Sequence, residues 1–270
     1  MTHATKSCLT TVIIISLLTT GLSTVYAKSD REQAGLIGSV KTIAEECSAS
    51  KGENIPSDVP TRTTYNREGN IIERKSISPT SGKVLETSLT TYQPGNLARE
   101  TVSLRYLQND GTFSIKGFVS GKHMEIIDRH GNITERTDFR VDGTVTYRTT
   151  YFYDDKGHKT ESMTYMPDGS VRESVKYSYD NKGKMIEKIL FRADNSMDGR
   201  LTVDYGTHGL ITGSTLYDID GTISGKSTTV YDEYDSAGNW TKETSTSWIR
   251  INGTMSTLPA YVCKRTITYY

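Results

Sequence analysis

Tyr153-Asp154-Asp155-Lys156-Gly157 decides how the rest of the chain is read, because it recurs. Asp128-Arg129-His130-Gly131 stands before it; Tyr179-Asp180-Asn181-Lys182-Gly183 and Tyr205-Gly206-Thr207-His208-Gly209 follow it. Gly131, Gly157, Gly183 and Gly209 are each 26 residues apart. A second register carries Asp142-Gly143, Asp168-Gly169, Asp194-Asn195 and Asp220-Gly221 at the same interval. Asp-Gly and Asn-Gly pairs supply the positive φ that tight hairpin turns require. Each unit therefore holds two turns and leaves room for two strands of about nine residues. The expected fold is all-β: an antiparallel β-meander of hairpin repeats of about 26 residues each, in a curled or wound sheet.

The rhythm extends outward from this core. Tyr65 to Gly69 matches the later turns, Gly95 falls 26 residues beyond Gly69, and Tyr234-Asp235 to Gly238 starts a last unit three residues late. The stretch 98–125 is less regular, and Asn252-Gly253 marks a longer closing hairpin. Counted by parity from Tyr153, one face of the sheet holds Met163, Tyr165, Val171, Val175, Tyr177 and Tyr179. In the next unit it holds Met185, Ile189, Phe191, Met197, Leu201, Val203 and Tyr205. The intervening residues are mostly polar, as in a sheet wet on one side.

Three segments result. Residues 1–27 read as a signal peptide, with basic Lys6, an apolar run from Leu9 to Leu22, and a cut after Ala27. The run is shorter than the roughly 18 residues that span a bilayer, and no later segment qualifies as a transmembrane helix. Residues 28–60 are an N-terminal segment, loose at first, with a first strand expected in 35–46; residues 61–270 are the hairpin-repeat domain. The expected location is periplasmic or secreted. There Cys47 and Cys263 form a candidate disulfide, the alternative being two separate buried thiols. With 32 basic and 32 acidic residues the formal net charge is zero, which argues against nucleic acid as a partner.

Tyr153-Asp154…Gly157, Tyr179-Asp180…Gly183 and Tyr234-Asp235…Gly238 make the chain similar to YD-repeat, or Rhs-repeat, proteins over roughly 61–247. That resemblance implies β-meanders wound into strips or shells on bacterial surfaces or around secreted toxins. The period here is longer than is usual in that family, the chain is too short to enclose a toxin, and no segment after the repeats is left for one.

Candidate chemistry is sparse. His123, His130, His158 and His208 lack a ligand partner at metal spacing. Glu73, Glu135, Glu161 and Glu187 share one repeat position, on the parity of the apolar face. Such a ladder of like environments does not split two pKa values for acid–base work, and pairing with Lys or Arg explains it more simply. Asp218-Ile219-Asp220-Gly221 lacks the further ligands of a calcium loop. The tyrosines Tyr151, Tyr153, Tyr177, Tyr179 and Tyr205 suit either a glycan-facing strip or the core of the rolled sheet, and their parity favours core. No cofactor, metal or catalytic residue is expected. The functional expectation is an exported, non-catalytic binding or structural module of the bacterial envelope, its partner a glycan or an envelope protein. The alternatives are an integral outer-membrane β-barrel, a toxin-system-associated YD-repeat protein, and a hydrolase with a site in 98–125. Glutamates on an apolar outer face and the lack of long loops weigh against the membrane barrel.

Overall fold

The computed structural model of the chain describes residues 29–49, 59–79, 81–93, 97–109 and 112–270. The signal peptide with its cut after Ala27, and Gly95, lie outside them.

A short helix, α1 (Asp30–Gln33), precedes β1 (Val40–Ala49), β2 (Thr61–Tyr65), β3 (Ile71–Ile77), β4 (Val84–Tyr92), β5 (Ala98–Asn109) and β6 (Thr112–Ile127). The regular hairpins follow as β7 (Ile133–Phe139), β8 (Val145–Tyr153), β9 (Lys159–Tyr165), β10 (Val171–Tyr179), β11 (Met185–Arg192), β12 (Met197–Tyr205) and β13 (Ile211–Tyr217). The chain ends in β14 (Ile223–Tyr234), β15 (Trp240–Ile251), β16 (Thr254–Thr257) and β17 (Tyr261–Tyr269). Every strand from β1 to β15 pairs antiparallel with the next in sequence. β16 and β17 both pair with β15, at its far and near halves, and so share one place in the ring. β17 then pairs with β1. The meander is thus a closed barrel of sixteen strand positions. Closure removes the two sheet edges that an open strip would expose.

The turns repeat two chemistries, one at each end of the barrel. At the Tyr-Asp end, Asp154 Oδ1 accepts the backbone N–H groups of Lys156 and His158, and Asp128, Asp180 and Asp235 repeat the arrangement. At the other end, Asp168 accepts both the N–H and the hydroxyl of Ser170, as Asp142, Asp194 and Asp220 do from their Thr or Ser. Within each of these turns only the fourth residue has positive φ, for example Gly169 at 85°. This is a type I turn closed by a single left-handed residue, not the two-residue mirror turn; Asn252 and Gly253, at 50° and 82°, alone form the latter among the described residues.

Parity fails as a guide to the faces. Tyr153 lies opposite Lys159, but Phe152 lies opposite Glu161, so Thr160 is an extra residue. Arg172, Ile186, Asp198, Thr212 and Ser224 are extra in the same way. Each strand from β7 to β15 carries a β-bulge at its second residue, which resets the alternation. Directly opposed residues share a face. By register, Val175, Tyr177, Tyr179, Met185, Leu201, Val203 and Tyr205 do lie together. Met163, Tyr165, Val171, Ile189, Phe191 and Met197 lie on the opposite face, contrary to the parity count.

The tyrosine face is the lumenal one. The buried residues Val40, Ile43, Tyr65, Met185, Leu201 and Val203 all lie on it, whereas Leu89, Ile126, Phe152 and Val230 on the other face are exposed. Buried apolar residues form two separate clusters, one around Val40 and one around Leu201, each confined to neighbouring strands. No single core fills the barrel among the described residues. A circular ring of sixteen strands at the usual spacing measures roughly 25–30 Å between opposite backbones, so the lumen has room for solvent.

Residues 28–34, expected to be loose, include α1. Ser29 and Glu32 form a reciprocal capping box at its start. The following residues lead into β1, the first strand expected in 35–46. Cys47 and Cys263 lie opposite each other on β1 and β17 and are joined by a disulfide across the closing seam.

Candidate functional site

The lumenal wall carries the buried carboxylate of Glu125 and the buried hydroxyls of Thr101, Ser162 and Ser214. At the Tyr-Asp mouth, residues 29–39 pack against the rim. Asn239 clamps the backbone of Ile37 by accepting its N–H at 2.7 Å and donating to its carbonyl at 2.8 Å. The N–H of Arg31 donates to the carbonyl of Gly69 at 2.8 Å. Asp30 is the anchor: its carboxylate accepts from the N–H of Ile71 at 2.8 Å, the hydroxyl of Tyr92 at 3.0 Å and Nη1 of Arg99 at 2.8 Å.

From Asp30 a chain of alternating charge runs along the wall. Arg99 on β5 also pairs with Glu125 on β6, Glu125 lies 3.8 Å from Arg136 on β7, and Arg136 holds Asp138 with contacts of 2.6–3.1 Å. Flanking carboxylates on both sides hold Arg99 and Arg136 in their charged forms despite burial. His123, opposite Asp138, is pushed below the ordinary histidine range by burial and by Arg136. These groups satisfy one another, and that describes a fixed wall.

Beyond Arg136 the wall changes character. The tyrosine hydroxyls of the rim each donate to the carbonyl that stands 20 residues earlier: Tyr153 to Ile133, Tyr179 to Lys159, Tyr205 to Met185 and Tyr231 to Ile211, at 2.7–3.0 Å. This is the work of the repeated tyrosine: its ring packs on the lumenal face and its hydroxyl bonds a main-chain carbonyl near a turn. Tyr234, the tyrosine of the last unit, lies instead beside His208. Lys159 on β9 places its ammonium 4.4 Å from the ring centre of Tyr151 and 5.6 Å from that of Tyr177. Lys188 on β11 approaches Tyr177 at 5.6 Å. Burial, and then the neighbouring charge of Lys188, lower Lys159 to a pKa of about 8. Burial lowers Lys188 as well, and burial pushes Tyr151 up to about 12.

A second withdrawn group lies near the seam. Glu243 on β15 stands opposite Cys263. Burial raises it to about 7, against the opposing pull of Arg265 and with help from Glu45 and Asp232. Arg265 itself pairs with Glu45 at 2.5 Å and lies over the ring of Trp240.

The glutamate row is not on the tyrosine face. Glu73 lies opposite Thr64, Glu135 opposite Thr150, Glu161 opposite Phe152 and Glu187 opposite Ser178 and Thr202, all outward. Three of the four make ion pairs there: Glu73 with Lys75, Glu135 with Arg148 and Glu187 with Arg200, at 2.9–3.4 Å. The bulge at the second residue of β3, β7, β9 and β11 inverts the alternation that the parity count assumes. Asp220 is engaged by Thr222, His130 approaches Arg129, and His158 bonds Asp154 and stacks on Tyr179. Among the described residues no group of three or more His, Cys, Asp or Glu is placed to hold a metal ion.

Comparison with solved structures supports the architecture. The chain is similar to a porin-like protein from Bacteroides uniformis, at 12% identity and TM-score 0.52, over 85% of this chain and 98% of that one. A porin-like protein from Bacteroides vulgatus aligns over 86% and 98% at 13% identity, with TM-score 0.41. The Photorhabdus luminescens Tc holotoxin pore aligns over 82% of this chain and 14% of its own, at 11% identity and TM-score 0.20. No family model matches, and no curated protein matches at a significant level. At such identity the first likeness speaks for the closed β-barrel fold alone. No helix among the described residues is long and apolar enough to cross a membrane, which says nothing of a barrel.

Lys159 and Lys188 escaped the sequence reading, yet Lys159 had a legible signal. Ile133, Lys159, Met185 and Ile211 are 26 residues apart, so one lysine interrupts an otherwise apolar column. Asp30, Arg99, Glu125 and Arg136 carried no such mark, because their meeting depends on closure and on α1.

Proposed function

We propose that the protein is an envelope β-barrel whose water-filled lumen, not its outer surface, faces a polar solute, and that it acts by binding or passage without catalysis. The closed ring and the porin-like likeness favour a barrel over an open-strip module. The observation that carries the reading is the outer face. Arg62, Glu73, Glu100, Lys122, Glu135, Arg148, Glu161, Lys176, Glu187, Arg200, Lys226, Lys242 and Lys264 put charge outward on strand after strand around the ring. A lipid-facing band needs an apolar belt about 25 Å tall, and a single mid-bilayer Arg or Lys there costs about 2–4 kcal/mol. This belt is interrupted throughout, so the barrel stands in water within or outside the envelope.

The second reading is an integral outer-membrane barrel, favoured by the closed antiparallel topology. Expression with the native leader and extraction without detergent separates the two. Recovery of a monodisperse barrel from the aqueous fraction supports the first; retention in washed membranes until detergent is added establishes the second.

A further inference from the structure

One rung of the lumenal wall, at the closing seam, holds chemistry that closure does not use. Tyr231 on β14 lies opposite Glu243 on β15, Glu243 opposite Cys263 on β17, and Cys263 opposite Cys47 on β1. Directly opposed residues share a face, with Cβ atoms about 4.5–5.5 Å apart. The Glu243 carboxyl and the Cys47–Cys263 disulfide are therefore side by side on the lumenal surface, the carboxyl within reach of Cys263 Sγ. All three residues are half-buried, so the lumen has access to them. Among the described residues Glu243 has no hydrogen-bond or ion-pair partner: Arg265, the cation that acts on it, gives its Nε–H to Glu45. A crosslink that only holds the seam requires no acid beside it, and a carboxylate drawn out of water without a partner is a cost to the fold.

We propose that Cys47–Cys263 is a thiol–disulfide exchange site for small thiols in the lumen, with Glu243 passing a proton to and from Cys263. The proposal goes beyond binding or passage and rests on the reading of the lumen as water-filled. The thiolate of a small thiol, RS⁻, attacks Cys47 Sγ. The S–S bond breaks, its electron pair goes to Cys263 Sγ, and the carboxylic acid of Glu243 protonates that sulfur. A second RS⁻ attacks the R sulfur of the mixed disulfide and releases Cys47 as a thiolate. The two protons shed by the thiols return to Cys47 and, through Glu243, to Cys263. Two RSH are thereby oxidised to RSSR, and the protein disulfide is reduced to two thiols; the protein is a reactant here, not a catalyst. In the reverse direction the Glu243 carboxylate takes the proton of Cys263, whose thiolate displaces RS⁻ from Cys47 and closes the bond. A group that moves a proton works best with a pKa near the ambient pH, and Glu243, at about 7, has one. The other titratable or charged groups facing it are Tyr231 and Asp232 on β14, Arg265 on β17 and Glu45 on β1. Tyr231 is held by the carbonyl of Ile211, Asp232 accepts from Thr244, and Arg265 and Glu45 hold each other. Glu243 is the one among them free to carry the proton.

The test follows reduction of the folded, oxidised protein by 2-mercaptoethanol under native conditions, read by alkylation and mass, with the rate constant expressed per thiolate across pH values on both sides of neutrality. The parent's rate constant is expected to hold below about pH 7 and to fall above it, where Glu243 has lost its proton. Glu243→Gln should lower the rate at acidic pH by about tenfold or more and remove the break in the profile. The outward Glu46→Gln should keep the parent's rate and profile. Thermal melts report that each variant is folded. A disulfide reduced only when the barrel unfolds, or a Glu243→Gln variant with the parent's rate and profile, overturns the site. A reporter thiol, Ser245→Cys on the lumenal wall of protein carrying Cys47→Ser and Cys263→Ser, tells the two failures apart. Where iodoacetamide alkylates the folded reporter, the exchange site alone has failed; where it does not, the water-filled lumen falls with it.

Discussion

Gly169 shows how little freedom a single turn residue has. Its φ is 85°, and a Cβ added there would meet open space. Gly169→Ala therefore tests backbone strain alone, and should destabilise the fold by about 1–2 kcal/mol in a denaturant titration. Asn195 fills the equivalent place with φ 63°, so Asn195→Gly should be neutral or mildly stabilising by the same measurement. Glu243 carries a sharper expectation. Its folded pKa is raised from 4.5 to about 7, so the folded state binds more protons than the unfolded state between those values. Its contribution to stability is present below about pH 4.5 and is lost as pH rises through about 7. Glu243→Gln should raise stability at pH 8 by on the order of 1–3 kcal/mol and change little at pH 4.5, as read by chemical denaturation at the two pH values. Lys159 works in the opposite sense: its folded pKa is lowered, so stability is lost as pH falls through about 8. Lys159→Met removes a charge that burial disfavours and should raise Tm at pH 7 in a thermal melt.

At the scale of elements, the bulge matters as much as the turn. One extra residue per strand lets a 26-residue unit of two strands keep a tyrosine inward at the rim and a glutamate outward on the next strand. The seam is the other decisive element. β1 and β17 close the ring through pairs that run from Val40 with Tyr269 to Ala49 with Tyr261. Cys47–Cys263 locks that seam across 216 residues of chain. By chain entropy, such a crosslink is worth about 5 kcal/mol. Mass spectrometry after alkylation should find no free thiol on these cysteines in the folded, oxidised protein, and reduction should lower the unfolding midpoint while leaving the β-sheet circular dichroism intact under native conditions. Two freely alkylated cysteines in folded, oxidised protein would leave the seam to hydrogen bonds alone.

For the molecule as a whole, the consequence of closure is a division of surfaces. The outer face carries ion pairs such as Glu73 with Lys75, Glu135 with Arg148 and Glu187 with Arg200, and exposed pairs of this kind are worth little individually. The other lines the lumen, and there burial shifts Lys159, Tyr151 and Glu243. Small-angle scattering from the mature protein should show the distance distribution of a hollow cylinder, not of a filled globule or an extended strip. A maximum dimension several times the barrel diameter would return the meander to an open form and remove the lumen as a site.

The sequence by itself determined the hairpin, its length and the places of its turns. Those depend on local backbone geometry, which Asp, Asn and Gly impose wherever they stand. It also marked Lys159, through a column read at fixed spacing. The face of each strand beyond its second residue was not legible, because a bulge changes no composition yet inverts the alternation that parity assumes; that is why Glu73, Glu135, Glu161 and Glu187 were placed on the wrong side. The four-residue α1 was too short for periodicity, although Ser29 and Glu32 carried its capping signature. Closure, the charge chain from Asp30 to Asp138 and the approach of Lys159 and Lys188 to the ring of Tyr177 were decided only by the tertiary structure. They bring together residues of different strands, and sheet curvature, which sums small twists over the whole meander, sets which strands meet.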